Sequence, residues 1–468
     1  MVFSCIPFLY FFLPITLIVY YLSPRKLKNL ALTVASLIFF AWGEPKYVFI
    51  LLISSAIDYS AGIVLDIYRD NKKIRIAALL TSLLMNLGLL SLFKYSGFFI
   101  DTVNSIFGSS FKAPGLEMIG ISFFTFQTMS YTIDMYMGNI KVQKNPLDFL
   151  CYISMFPQIV AGPIVRYEDV QNDISKRSLS LSKAGEGVGD FIKGLSKKVL
   201  LANNIGLLWD EIKLSEISEL SVVSAWLGII AFSFQIYYDF SGYSDMAVGL
   251  GKMLGFTFPK NFDHPYTSKS ISEFWRRWHI TLGTWFRMYV YIPLGGNRKG
   301  KTRTIINLLV VWSLTGFWHG ASWNFILWGL YFGILIILER FVVPNVIEKI
   351  PKLLRVVYTY VLVLFGWVLF EFESLKNAWA YFCAMFGANR IFIDAQSIYR
   401  LRIYAVMLIV CFVFSTAAYS YVMQRIRSTK KLAACVSISA PLVQMALLII
   451  CTAYLVNNVY NPFLYFRF

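Results

Sequence analysis

Long apolar stretches recur from one end of this chain to the other, and they constrain its fold more than any other feature. A run of about 17–25 apolar residues is long enough to cross the hydrocarbon core of a bilayer as a helix. Candidate crossings are residues 3–22, 30–42, 47–65, 76–93, 119–137, 147–165, 222–240, 305–318, 323–339, 353–370, 401–423 and 436–456. Residues 95–107 and 189–208 read as partial or interfacial helices. The 468 residues are 57% hydrophobic and only 15% charged, far less charge than a soluble protein of this length carries. Aromatics make up 17%, as expected where rings line the bilayer interfaces. The expected fold class is therefore an all-α, polytopic integral membrane protein. Residues 3–22 follow no basic region and precede no small-residue cleavage site, so they are expected to be the first transmembrane helix rather than a leader.

The formal net charge of +17 would suggest nucleic acid in a soluble protein. Here the basic residues gather between apolar stretches, as the positive-inside rule requires, and a nucleic-acid partner is not expected. Clusters occur at Arg25, Lys26 and Lys28; at Arg69, Lys72, Lys73 and Arg75; at Arg166, Lys176, Arg177 and Lys183; through residues 260–303, the richest; and in residues 425–431. Placed in the cytoplasm, these clusters put the N-terminus and the turn Gly43-Glu44-Pro45 outside. The six cysteines lie in or beside apolar stretches with no metal-type spacing, and they read as small apolar residues. No metal site is expected. No internal repeat, low-complexity tract or long linker divides the chain, so residues 1–468 are expected to form a single membrane domain.

Ionisable groups at membrane depth are costly, so each is a functional candidate by default. Asp58 and Asp134 stand alone in apolar stretches, where hydrogen bonds between helices account for them. Residues 237–245, YYDFSGYSD, contain Tyr238, Asp239, Ser241 and Asp245 and are too polar to face lipid; they are expected to break the helix or line a cavity, bracing it or touching substrate. Pro157 and Gly162-Pro163 interrupt another apolar stretch and predict a helix end there.

The densest polar signal is residues 270–280, SISEFWRRWHI. Ser270 or Ser272 can cap a helix start, Glu273 sits near its positive end, and Glu273 pairs with Arg277 one turn on. A continuous helix would put Trp275 and His279 on one face. By composition alone this is an interfacial anchor. The three histidines are His264, His279 and His319. His264, in FDHPY, reads as a loop residue. His319 ends an apolar segment beside Trp318, and Gly316 and Gly320 leave room for another backbone or a ligand. Imidazole suits general-base work because its unperturbed pKa lies near neutrality, and a structural hydrogen bond is the competing reading.

At this point the sequence resembles the membrane-bound O-acyltransferase family, in the branch of the alginate O-acetyltransferase membrane subunit. The matching runs are FPQIVAGPIVRY (156–167), YDFSGYSDMAVGLG (238–251), SISEFWRRWHITL (270–282), YIPLGGNRKG (291–300), TGFWHGASWNFILW (315–328) and YNPFLYFRF (460–468). D-alanyl transferases of teichoic acid look like more distant relatives. The resemblance implies a ring of tilted helices around a thinned centre, with a cytoplasmic funnel leading to a tunnel. It makes residues 250–304 a cytoplasmic or re-entrant active-site segment, His319 the catalytic histidine, and His279 the second active-site position. It implies acetyl-CoA as acyl donor, with no other cofactor. It also implies transfer of the acetyl group across the cell membrane to an extracytoplasmic or membrane-anchored acyltransferase partner that modifies a polysaccharide. Met288 stands where relatives usually carry Asp.

On that basis His319 is expected to take the proton of the acceptor hydroxyl, and His279 to orient the donor or donate a hydrogen bond to the thioester carbonyl. Trp275, Trp278 and Trp318 are expected to wall the tunnel, with Tyr238, Asp239 and Ser241 beside substrate. Arg276, Arg277, Arg287, Arg298 and Lys299 are expected to attract the donor phosphates. Two rival readings are D-alanyl transfer from a carrier protein and transport of a polysaccharide intermediate. Transport is disfavoured because transporters show inverted repeats, and both histidines sit in one half of the chain.

Overall fold

The computed structural model describes residues 1–116, 118, 120–160, 162–457 and 463–464. Helices dominate, and no β-strand occurs among the described residues. Among them, seven helices are long and apolar enough to cross a membrane: Pro45–Ile67, Lys72–Phe107, Val222–Met253, Trp323–Phe341, Lys352–Glu371, Ala395–Ser415 and Lys430–Asn457. The chain packs as two compact units, one made of Met1–Phe191 and Tyr243–Lys260, the other of Ile192–Gly242 and Asn261–Phe468.

Several expected boundaries are corrected. Residues 76–93 and 95–107 are one continuous helix, because a π turn at Ser91–Tyr95 absorbs the irregularity without ending it. Residues 189–208 are likewise part of a longer helical run, with a π turn at Lys197–Ala202 leading into Asn203–Lys213. Residues 147–165 do not form a span. The helix Pro146–Ser154 stops, one turn follows at Phe156–Ile159, and the proline and glycine positions end it. Residues 401–423 are also divided. The helix ends at Ser415, where the Ser415 and Thr416 hydroxyls donate back to the Phe412 and Val413 carbonyls (2.7 and 2.8 Å), and a separate helix runs over Ala418–Arg427. Residue 119 of the expected span 119–137 lies outside the described residues, and the helix there is Ile121–Met137.

In the first unit, three helices meet on a polar clasp. Asp58, fully buried, accepts from both Asn86 Nδ2 contacts (2.9 and 3.0 Å), from Thr132 Oγ1 (3.2 Å) and from the Ser82 hydroxyl. Those partners come from Lys72–Leu90 and Ile121–Met137, so the carboxylate ties its own helix, Val48–Ile67, to two neighbours. The hydrogen-bond reading of Asp58 holds. Asp134 is tied locally, accepting from Asn139 Nδ2 (3.1 Å) in the turn after its helix.

In the second unit, the helices Lys301–His319 and Trp323–Phe341 form a tight antiparallel pair. Glycine is required where they touch: a Cβ on Gly316 would strike the Phe325 carbonyl, and one on Gly329 would strike the Trp312 carbonyl. The space beside Gly320 is filled by the Phe325 ring. The room expected around His319 is thus occupied by the returning helix.

Candidate functional site

The segment that carries His279 is built by caps. Ser270 Oγ accepts the Glu273 N–H (3.0 Å) and caps the helix, and Glu273 reaches back past the cap to accept the Lys269 N–H (2.9 Å). Glu339, from the end of Trp323–Phe341, accepts the Ile271 N–H (2.8 Å) and the Ser272 N–H (3.3 Å). A carboxylate placed there also meets the positive end of the helix. The expected Glu273–Arg277 pair forms at 2.7 Å. Glu339 was not singled out from the sequence. Its only signal was an acid at the end of an apolar stretch.

The helix Ile271–Arg277 ends two residues before His279, which adopts a left-handed backbone (φ +46°, ψ +54°). Trp275 and His279 therefore do not share a helix face, contrary to expectation, because the chain turns between them. A new helix, Ile280–Phe286, starts directly after. Two backbone bonds stitch this corner to the preceding loop, Asp263 N–H to the Arg277 carbonyl and Ile280 N–H to the Asn261 carbonyl, both 2.9 Å. His279 Nδ1 lies 3.1 Å from Asn261 Oδ1. His264 sits in the same loop with a left-handed backbone and accepts the Thr267 N–H, as a turn residue does.

Tertiary packing brings the two expected histidines together. Both are buried, and their ring centroids are 6.5 Å apart. His319 is the last residue of Lys301–His319, and its ring packs edge-on against Trp318 (5.1 Å), Trp328 (4.9 Å) and Phe370 (5.6 Å). His279 packs against Trp318 (5.9 Å), Phe240 (4.7 Å) and Phe262 (6.4 Å). Trp275 joins the same aromatic body through Trp328 (5.4 Å) and Trp312 (4.8 Å), and Trp278 through Trp367 (4.9 Å). Trp328, Trp367 and Phe370 were not singled out from the sequence, since large apolar residues in apolar helices carry no positional signal. His279 lies outside the spanning helices, and burial lowers its imidazole pKa to about 3, so it is neutral at physiological pH.

Tyr238, Asp239 and Ser241 sit on Val222–Met253, which runs unbroken through residues 237–245. The expected break is absent, and the stretch is buried in protein, where Tyr238, Asp239 and Ser241 have polar neighbours. Tyr238 donates to the Cys411 carbonyl (2.5 Å), and Lys197 Nζ lies 3.4 Å from Ser241 Oγ. Asp239 forms a buried ion pair with Lys198 and accepts the Leu464 N–H at 2.6 Å. Of the C-terminal run 460–468, only Phe463 and Leu464 are among the described residues. Arg276, Arg287, Arg298 and Lys299 are exposed, whereas Arg277 is half-buried, engaging Glu273 and Thr267. Met288 lies in the π turn Arg287–Tyr291, half-buried.

Comparison with known proteins agrees on one family. The profile described as MBOAT, membrane-bound O-acyltransferase family, matches residues 139–379, the stretch that includes both histidines. A probable alginate O-acetylase of Azotobacter vinelandii is 40% identical over 392 residues, covering 83% of this chain and 78% of the relative. A peptidoglycan O-acetyltransferase of Helicobacter pylori is 34% identical over 421 residues, covering 82% of this chain and 79% of the relative. A teichoic acid D-alanyltransferase of Streptococcus thermophilus is 32% identical over 241 residues, covering 48% of this chain and 57% of the relative.

Proposed function

This chain belongs to the membrane-bound O-acyltransferase family, and on that premise we propose that it moves an acetyl group from acetyl-CoA, bound from the cytoplasmic side of the cell membrane, to an extracytoplasmic partner that O-acetylates an exported or surface polysaccharide. It is a multi-pass membrane acyltransferase. The observation that carries the reading is the pair of buried imidazoles, from separate segments, held 6.5 Å apart in an aromatic enclosure. That spacing lets both rings reach one small acyl group.

In the proposed step, His319 takes the proton of an acceptor hydroxyl. The hydroxyl oxygen bonds to the thioester carbonyl carbon, the carbon–sulfur bond breaks, and the proton leaves with CoA as its thiol. The surrounding indole and phenyl rings exclude water, which would otherwise hydrolyse the thioester. The exposed Arg276, Arg287, Arg298 and Lys299 supply positive charge for the CoA phosphates, while Arg277 is engaged within the fold. A cytoplasmic location for the basic segment, and hence an external N-terminus, follows from the positive-inside rule.

The test uses purified protein in nanodiscs with acetyl-CoA labelled in the acetyl group, with and without the co-expressed extracytoplasmic acyltransferase. Label transferred to that partner, and lost in His319→Ala, is the expected result. Label delivered only from a D-alanyl carrier protein would replace this donor with a protein-bound thioester, as the similarity to a teichoic acid D-alanyltransferase allows.

A further inference from the structure

Asn261 grips the His279 corner twice. Its backbone carbonyl accepts the Ile280 N–H (2.9 Å), and its side-chain Oδ1 accepts the Thr281 N–H (3.2 Å) and the Thr281 hydroxyl (2.9 Å). The same Oδ1 lies 3.1 Å from His279 Nδ1. A backbone N–H only donates, so the Thr281 amide identifies the Asn261 atom as the carbonyl oxygen; turned over, the side chain would set its NH2 against that donor. An accepting oxygen therefore faces Nδ1. A lone pair on Nδ1 would oppose it, so Nδ1 carries the hydrogen. A neutral imidazole has a single N–H, and Nε2 is left with the lone pair. Nε2 then cannot donate a hydrogen bond to a thioester carbonyl, one of the two roles expected of His279.

We propose that Asn261 is a positioning residue that locks His279 as the Nδ1–H tautomer and so presents Nε2 as a hydrogen-bond acceptor at the acyl-transfer site. The proposal rests on the acyl-transfer reading above. In this role His279 aligns the acceptor hydroxyl whose proton His319 removes, and oxyanion stabilisation falls to other groups. The left-handed backbone of His279 has the same origin. A strained conformation at a non-glycine residue persists only where its surroundings fix it, and the bonds of the following two amides to Asn261 do so.

The chain has three histidines, so selective 15N-histidine labelling yields three imidazoles, and His279→Gln identifies one by its loss. The His279 nitrogens are expected to show the neutral Nδ1–H pattern, and Asn261→Leu to convert it to the Nε2–H form or a mixture. An Nε2–H pattern in the wild type overturns the proposal. Asn261→Asp keeps an acceptor for all three groups and adds a negative charge beside the ring, which favours imidazolium. The His279 nitrogens should then take the imidazolium pattern at a pH about one unit or more above that of the wild type. An unmoved His279 titration in a folded Asn261→Asp protein overturns the positioning role. Should both variants fail to fold, the wild-type spectrum still decides. An Nδ1–H tautomer in a protein that transfers no acyl group would count against the function and leave the tautomer assignment standing.

Discussion

Asp58 and His319 look alike in the sequence, each a lone ionisable residue in an apolar stretch, and the fold treats them in opposite ways. Asp58 is surrounded by Ser82, Asn86 and Thr132, all of which donate to its carboxylate. His319 is surrounded by rings and placed near a second imidazole from another segment. A carboxylate saturated by its neighbours holds helices together. An imidazole packed among rings beside a second imidazole is, under the proposed function, the group that meets the acyl acceptor. The difference lies in the partners, which membrane depth alone does not supply.

The sharpest way to break this comparison is to remove each group in turn. His319→Ala is expected to lower acyl transfer by on the order of 10²–10⁴-fold, the usual contribution of a general base, with membrane insertion and thermal unfolding near wild type. Asp58→Leu is expected to leave the rate per folded molecule unchanged while lowering the unfolding temperature, because each donor left buried without an acceptor costs about 1–3 kcal/mol. A well-folded, inactive Asp58→Leu protein would put Asp58 in the chemistry and end the contrast.

The buried Lys198–Asp239 pair extends the structural side of the comparison. Lys198→Met leaves a buried carboxylate uncompensated and is expected to destabilise by about 3–5 kcal/mol, whereas Lys198→Met with Asp239→Leu should recover most of the loss. Thermal unfolding of both variants in the same detergent measures this. Failure of the double variant to recover would assign the loss to the Leu464 N–H, which Asp239 also accepts.

Smaller effects sharpen the site itself. The folded-state pKa of His279, about 3, lies below its unfolded value of about 6.5, so unfolding takes up a proton between those pH values. The histidine's contribution is complete above about pH 6.5 and is lost as pH falls below it. Comparing unfolding at pH 7.5 and 5 should show wild type losing stability relative to His279→Asn. Equal pH dependence would mean the ring titrates normally. Ser270→Ala removes the cap of the helix before His279 and should cost about 1 kcal/mol, with a modest fall in rate measured alongside.

The sequence by itself determined the helical, membrane-crossing class, a capped start at Ser270 or Ser272, the Glu273–Arg277 pair and the histidines to watch, because each depends on local spacing or on the cost of charge in lipid. It left residues 237–245 between a helix break and a cavity lining, and the helix is unbroken, since polarity shows that partners are needed without showing that Lys198, Lys197 and the Cys411 carbonyl supply them. It also placed Trp275 and His279 on one face, since helical periodicity does not reveal the left-handed turn at His279. Only tertiary structure decided that turn, the cap from Glu339, the hold of Asn261 on His279 and the approach of His279 to His319. These are contacts between segments distant in the chain, and residue type and spacing carry no record of which distant group will arrive.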